Sequence, residues 1–267
     1  MKIRRVTLIV LVFLTVLFIF DVRYFGNRSI QEPSIHFNVG PGILEPAAQK
    51  MQEFIRSQSD FTSLALKGRH GVVELRSAES DVIKVQAIIW ADEEEVLEGL
   101  EVRESISGRE LSYELSQGPA GQEAGLGFIV HVPDGMEVSV DHQFGSVNVD
   151  DFVGFLNLNT SFSNLNVNGI EGTVTIASNF GNINLQRIRG PLRLDNSFAT
   201  CRVGLLAIDG GYDFDVVVTN GTLLGKAPFQ IGAESNNKLV ARGQSGEGVH
   251  PVIIRSNFGT VSVSLED

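Results

Sequence analysis

Four arginines, Arg187, Arg189, Arg193 and Arg202, cluster in a chain whose formal charge is -11. A guanidinium fork pairs with carboxylate, sulfate or phosphate oxygens. Such a cluster is therefore chemistry for an anionic polysaccharide or a lipid headgroup. The same side chains also suit neighbouring Asp and Glu, and in so acidic a chain that balancing role is the favoured reading. Asn148, Asn166 and Asn184 recur at a constant spacing. Amides both donate and accept, so a column of them either bonds to itself, the favoured reading, or offers a sugar-binding face. These seven residues form the candidate ligand-contact face. Asp150 and Asp151 with Asn148 supply oxygen atoms of the kind calcium takes. The glycine-aspartate nonapeptide of calcium-binding β-rolls is missing, and the group reads as a solvated turn.

Signals for catalysis are poor. The chain has no G-x-S-x-G, no H-E-x-x-H, no Walker loop and no paired Cys motif. The five histidines, at 36, 70, 131, 142 and 250, are scattered. Asp141-His142 has no nucleophile nearby, and His142 reads as a surface residue. No catalytic residue, cofactor or metal site is assigned. The acidic balance argues against nucleic acid as a partner. The single cysteine, Cys201, excludes an internal disulfide and reads as a small buried apolar group.

The residues that could position this face keep a period. Phe144, Phe162, Phe180 and Phe198 lie 18 residues apart. Three positions later come Val147, Leu165, Ile183 and Cys201; five later come Val149, Val167, Leu185 and Val203. Phe152, Ile170, Ile188 and Leu206 follow at eight, and Gly154, Gly172 and Gly190 at ten. Leu156, Val174 and Leu192 come at twelve, and Leu158, Ile176 and Leu194 at fourteen. A fixed period with alternation inside it predicts two short inward-facing strands per unit, stacked unit on unit. The glycine marks one turn, and Ser, Thr and Asn around each Phe mark another. The Phe rings are expected to stack as a ladder and to strengthen the core. The fold class expected is mainly β: a parallel β-solenoid, right-handed β-helix-like, with about 18 residues per coil. Looser echoes at Asn220-Gly221, Asn236-Asn237 and Asn257-Phe258-Gly259 suggest further irregular coils.

The rest of the chain divides into attachments. Lys2, Arg4 and Arg5 precede an uncharged apolar run from Val6 to Phe20. Extended through Phe25, a helix there would span about 30 Å, enough for a hydrocarbon core. Residues 1–25 are therefore expected to be a signal-anchor transmembrane helix, touching the membrane through residues 6–25. The positive-inside rule then puts the C-terminal part outside the cytoplasm, periplasmic or extracellular. Residues 26–60 read as a stalk with a short amphipathic helix over 44–57. That helix is expected to cover an open sheet end or to join an oligomer interface. Residues 61–140 read as a region of β-strands, and 141–267 as the repeat.

The order of elements resembles a bacterial family of putative adhesin, or auto-transporter-adhesin-like, domains. The resemblance rests on Gly71-Val72-Val73-Glu74-Leu75 with Val82-Ile83-Lys84-Val85, and on the junction Val130-His131-Val132-Pro133-Asp134-Gly135. It rests also on Phe144-Gly145-Ser146-Val147-Asn148-Val149 and Phe180-Gly181-Asn182-Ile183-Asn184-Leu185, each followed by Gly-x-Leu/Val-x-Leu/Ile. It covers about residues 61 to 267 and implies a β-solenoid, often exported or anchored, with no agreed activity and no catalytic residues to carry over. The chain departs from the pattern by placing Phe where many members have a small or polar residue. The function expected is a non-enzymatic, membrane-anchored module for binding, adhesion or scaffolding, with a glycan or a cell-envelope protein as partner. A carbohydrate-active enzyme on anionic polysaccharide and a self-assembling structural protein are the alternatives.

Overall fold

The computed structural model describes residues 48–116, 124–235 and 237–266. They form one fourteen-stranded sheet. The early strands are β1 (Ala48–Ser57), β2 (Ser63–Ala78), β3 (Val82–Ala91), β4 (Val102–Ser107), β5 (Glu110–Leu115) and β6 (Ala124–Pro133). A continuous extended run, β7 (Met136–Arg189), is followed by β8 (Leu192–Leu206), β9 (Tyr212–Thr219), β10 (Thr222–Lys226), β11 (Phe229–Ser235), β12 (Lys238–Gln244), β13 (His250–Asn257) and β14 (Thr260–Glu266). A six-residue helix, α1 (Glu94–Gly99), buries Val96 and Leu97 and carries Glu94 and Glu95 in its first turn.

The pairing corrects the expected parallel solenoid. Parallel register joins β2 to β7, β7 to β8, and β8 to both β13 and β14. Antiparallel register joins β1 to β3, β3 to β6, β4 to β5, β9 to β12 and β11 to β12. The fold is thus one mixed sheet. The reason is that the 18-residue period runs only through β7 and β8; elsewhere β4–β5 and β11–β12 fold straight back as hairpins, and β1–β3, β3–β6 and β9–β12 pair across intervening strands. Gly108, with φ of 62°, makes one such turn between β4 and β5. The sheet also runs across residue 140, because β2 pairs with both β6 and β7.

Two further expectations are corrected. Residues 48–57 of the expected helix are the strand β1, paired along its length with β3. The expected anchor helix at 1–25 lies outside the described residues. Among those described, no helix is long and apolar enough to cross a membrane, so the single-pass placement, with its periplasmic or extracellular C-terminal part, is not upheld.

Where the period holds, equivalent residues bury together. Val73, Val147, Leu165, Ile183, Cys201 and Val261 are all buried, and strand register aligns Val73 with Val147, Ile183 with Cys201 and Cys201 with Val261. Each such side chain contributes about 1.5–3 kcal/mol on full burial. The Cys201 thiol is free, and burial raises its pKa to about 12, so it packs as an apolar group. At the eighth position the inward residue after Ile188 is Leu205, not Leu206, because the register shifts by one between Leu185 and Ile188. Asp151, Gly169 and Arg187 hold positive φ at the corner one residue earlier; no positive φ occurs at the equivalent point of β8, so the unit there is one residue shorter.

The glycine corner is a steric requirement. At Gly172 a Cβ would sit 1.9 Å from the carbonyl oxygen of Gly154, and at Gly190 it would sit 2.2 Å from that of Gly172. Both clashes are with backbone, which cannot swing aside. Gly172→Ala should therefore lower stability by about 3 kcal/mol or more, read as a shift in the chemical denaturation midpoint. A midpoint within error of the parent would mean that the units are not packed this closely.

Candidate functional site

Alternation along the strands gives each buried column an outward neighbour. Asn148 lies opposite Glu74, and Asn184 lies opposite Arg202. The Asn166 amide donates to Asn148 Oδ1 at 3.1 Å, and Asn182 donates to Asn164 Oδ1 at 3.3 Å in the row beside it. Gln186 donates to Asn184 Oδ1 at 3.3 Å. The three predicted asparagines thus share one outward column with Arg202, beside a second row of amides.

The other arginines do not join them in one cationic face. Arg187 donates to Asp151 Oδ1 at 2.8 Å and to Asn168 Oδ1 at 2.9 Å. Its guanidinium crosses Gly169, where a Cβ would lie 2.7 Å from Nη2. Arg193, beyond the Gly190 turn on β8, pairs with Asp195 at 2.9 Å. Arg189 and Arg202 are exposed and make no ion pair among the described residues. The Asp151 carboxylate, one of the candidate calcium ligands, is taken up by Arg187.

The feature that the residue types concealed is the aromatic corner. His70, Phe144, Phe162, Phe180, Phe198 and Phe258 stack in one file, with centroids 4.8–5.2 Å apart and planes within 3–8° of parallel. The rings form the expected ladder, but not in the core. The five phenylalanines are 42–54% exposed. Each of the six residues has φ between 50° and 59°, the left-handed region. That conformation costs a bulky residue about 1–2 kcal/mol. Stacking returns about 0.5–1.5 kcal/mol per pair. Because ring faces meet ring faces, the strip shows solvent mainly ring edges. His70 and Phe258 escape the 18-residue count. The signal that finds them is a small residue directly after each ring: Gly71, Gly145, Ser163, Gly181, Ala199 and Gly259.

His142, expected at the surface, is fully buried two residues before the first Phe ring. Its Nε2 lies 3.1 Å from the Gly71 carbonyl oxygen. A carbonyl only accepts, so Nε2 carries the proton. Burial lowers the imidazole pKa to about 4; the Gly71 carbonyl and Asp141 oppose that shift, and His70 adds to it.

Two shallow depressions, one beside Phe61, Arg109 and Met136 and one beside Asp209, Gly210 and Glu247, contain none of the seven predicted residues. The amide and aromatic surface is an open strip, without the enclosing walls of a small-molecule site.

No family model matches the chain, and no curated protein matches it. It is similar to a putative cell adhesion protein from Clostridium sporogenes, over 82% of this chain and 100% of that one, at 11% identity and a TM-score of 0.49. A putative adhesin from Bacteroides fragilis aligns over 81% and 97% of the two chains, at 7% identity and a TM-score of 0.32. A putative lipid binding protein from Parabacteroides distasonis aligns over 83% and 98%, at 10% identity and a TM-score of 0.25. The structure neighbours thus include bacterial proteins named as putative adhesins, in line with the family that the sequence resembles.

Two outcomes test the corner. Phe180→Gly keeps the left-handed turn while deleting a ring, so its stability should stay within about 1 kcal/mol of the parent. Phe180→Val places a β-branched residue where φ is positive and should cost about 2 kcal/mol or more. Equal midpoints for the two variants would show that ring contacts, and not backbone conformation, decide stability there. For His142 the folded pKa of about 4 lies below the ordinary value of about 6.5. The unfolded chain therefore binds the extra proton between those values. The stability conferred by the neutral ring is complete above about pH 6.5, declines as pH falls toward 4, and is then exhausted. The loss should approach about 3 kcal/mol. Subtracting the pH profile of His142→Gln from that of the parent should isolate it, and parallel profiles would refute the assignment.

Proposed function

We propose that this chain is a non-enzymatic binding module for adhesion or scaffolding, and that its ligand is an extended, uncharged polymer, a neutral glycan, laid along the rungs. The observation that carries the reading is a strip, the Phe144 to Phe258 ladder beside the Asn148, Asn166 and Asn184 column, that is uncharged between Glu74 and Arg202 at the two ends of that column, on a chain of formal charge -11. Aromatic surface next to amide donors and acceptors is the chemistry that recognises sugars: C–H groups pack on apolar edges while hydroxyls meet amides. The rung spacing of about 5 Å is close to the advance of a polymer by one hexose. A chain running along the ladder therefore meets the same groups at each step.

Two of the four arginines favour this reading over an anionic substrate, since Arg187 and Arg193 are spent on Asp151 and Asp195, while Arg189 and Arg202 stay exposed. Glycoside hydrolysis needs a pair of carboxyl groups across the scissile bond, and the strip presents none. The full chain should be tested on an array of neutral and anionic polysaccharides, together with a Phe162→Gly, Asn166→Ala double variant. Retention on neutral polymers, weakened about tenfold in the variant, supports the proposal. Unchanged binding by the variant, preference for anionic polymers, or release of shortened chains each refutes it.

A further inference from the structure

The position two residues before each Phe ring carries a second regularity, on the inner side of the sheet. His142, Thr160, Ser178, Asn196 and Ser256 occupy it, and all five are between 0% and 5% exposed. The other inward positions of the repeat are apolar apart from Ser163; this column is polar throughout. Register aligns Ser178 with Asn196 and Asn196 with Ser256. At its far end the column meets Val218, in register with Ser256.

The column is only partly satisfied. Thr160 Oγ1 bonds Ser178 Oγ at 2.9 Å, and His142 Nε2 reaches the Gly71 carbonyl oxygen. His142 Nδ1 at one end, and Asn196 Nδ2 and Oδ1 with Ser256 Oγ at the other, are buried without a protein hydrogen-bond partner; only at the second end do the unpaired groups belong to adjacent rungs. Leaving such groups unpaired costs more than a made hydrogen bond returns. Neighbouring rungs stand about 4.8 Å apart, while a direct bond needs about 2.7–3.2 Å. Short side chains in register can therefore miss each other and be joined by one bridging oxygen. The longer imidazole of His142 reaches the next rung unaided; Asn196 and Ser256 do not.

We propose that this corner holds an internal water site, with an ordered water bridging Asn196 and Ser256 and drawing Ser178 into the same network. A water with two to four polar partners is the ordinary solution for buried polar groups. The site also has a consequence for register. Sliding the Asn196 unit by two residues, the smallest slip that keeps its inward face inward, would set Asn196 against the aliphatic column of Ile176 and Ile254 and take it from Ser256, so the water site penalises misaligned stacking.

A double-mutant cycle on Asn196→Val and Ser256→Ala in the full chain, read by chemical denaturation, tests the site, together with a crystal structure at high resolution. Each single change should lower the midpoint, and the second change should cost much less once the first is made, since both remove one shared network. Density for a water within hydrogen-bonding distance of both side chains should be present. A raised midpoint for Asn196→Val, strictly additive effects, or a direct bond between the two side chains with no intervening density would overturn the proposal. Ser256→Ala removes a single atom, so that arm and the crystal structure still decide if Asn196→Val fails to fold.

Discussion

A strand that turns a corner inside a sheet must do so without losing its hydrogen bonds to the strands on either side. The chain meets that constraint with single residues in the left-handed conformation, at the same point of successive rungs: His70, Phe144, Phe162, Phe180, Phe198 and Phe258. One such residue swings the backbone while its neighbours stay paired, as Arg69 with Gln143 and Gly71 with Gly145 on either side of the first two rings. Because the turn repeats in register, everything attached to it repeats as well. The aromatic strip, the amide column and the buried polar column are three consequences of one backbone device.

The second corner works by the opposite means. There the requirement is close approach, so glycine is needed for its missing Cβ: Gly154, Gly172 and Gly190 lie against one another's backbone. The aromatic corner, by contrast, has room for a ring but asks for a strained φ. The strain is local, and each ring partly repays it by packing on the next. The small residues after the rings belong to the same device, since a Cβ at Gly145 would lie 2.0 Å from the Gly71 carbonyl oxygen and one at Gly181 2.0 Å from that of Ser163.

Much of this was legible in the chain. The 18-residue period located the stacked columns, Cys201 in its apolar row, and the glycine corner. Alternation gives two answers at the ring: counted forward from Val138, Val140 and His142 it puts Phe144 inside, and counted back from Val147 it puts Phe144 outside, so the left-handed residue sits where the phase breaks. The bulk of the ring argued for the core and misled. The antiparallel strands were not legible as such, because nothing periodic marks β3, β6, β11 or β12, and their partners are set by turns and by contacts distant in sequence. Residues 48–57 failed for another reason. Met51 and Ile55 are exposed in β1, while Gln52 accepts from the Val102 amide and Arg56 pairs with Glu104. A strand whose inner contacts are polar imitates the spacing of an amphipathic helix. His142 was misjudged because its neighbour Asp141 suggested solvent, whereas its place in the buried column was fixed by alternation.

The candidate face was half legible, and the missing half was electrostatic. Counting arginines in an acidic chain suggests a cationic patch; geometry disperses them. Arg187 is drawn across Gly169 to Asp151 by a glycine that leaves space for the guanidinium, and Arg193 finds Asp195 two residues along its own strand. Exposed pairs of this kind add little stability, about 0–1 kcal/mol, but they cancel charge locally. Their effect on recognition is therefore larger than their effect on folding. Arg187 is thereby neutralised beside the amide column, and between Glu74 and Arg202 at its ends the strip must take its specificity from shape, apolar edges and hydrogen bonds. Those terms are short-ranged and weakly dependent on salt, so a ligand gains by touching many equivalent rungs at once, and the 18-residue period supplies them.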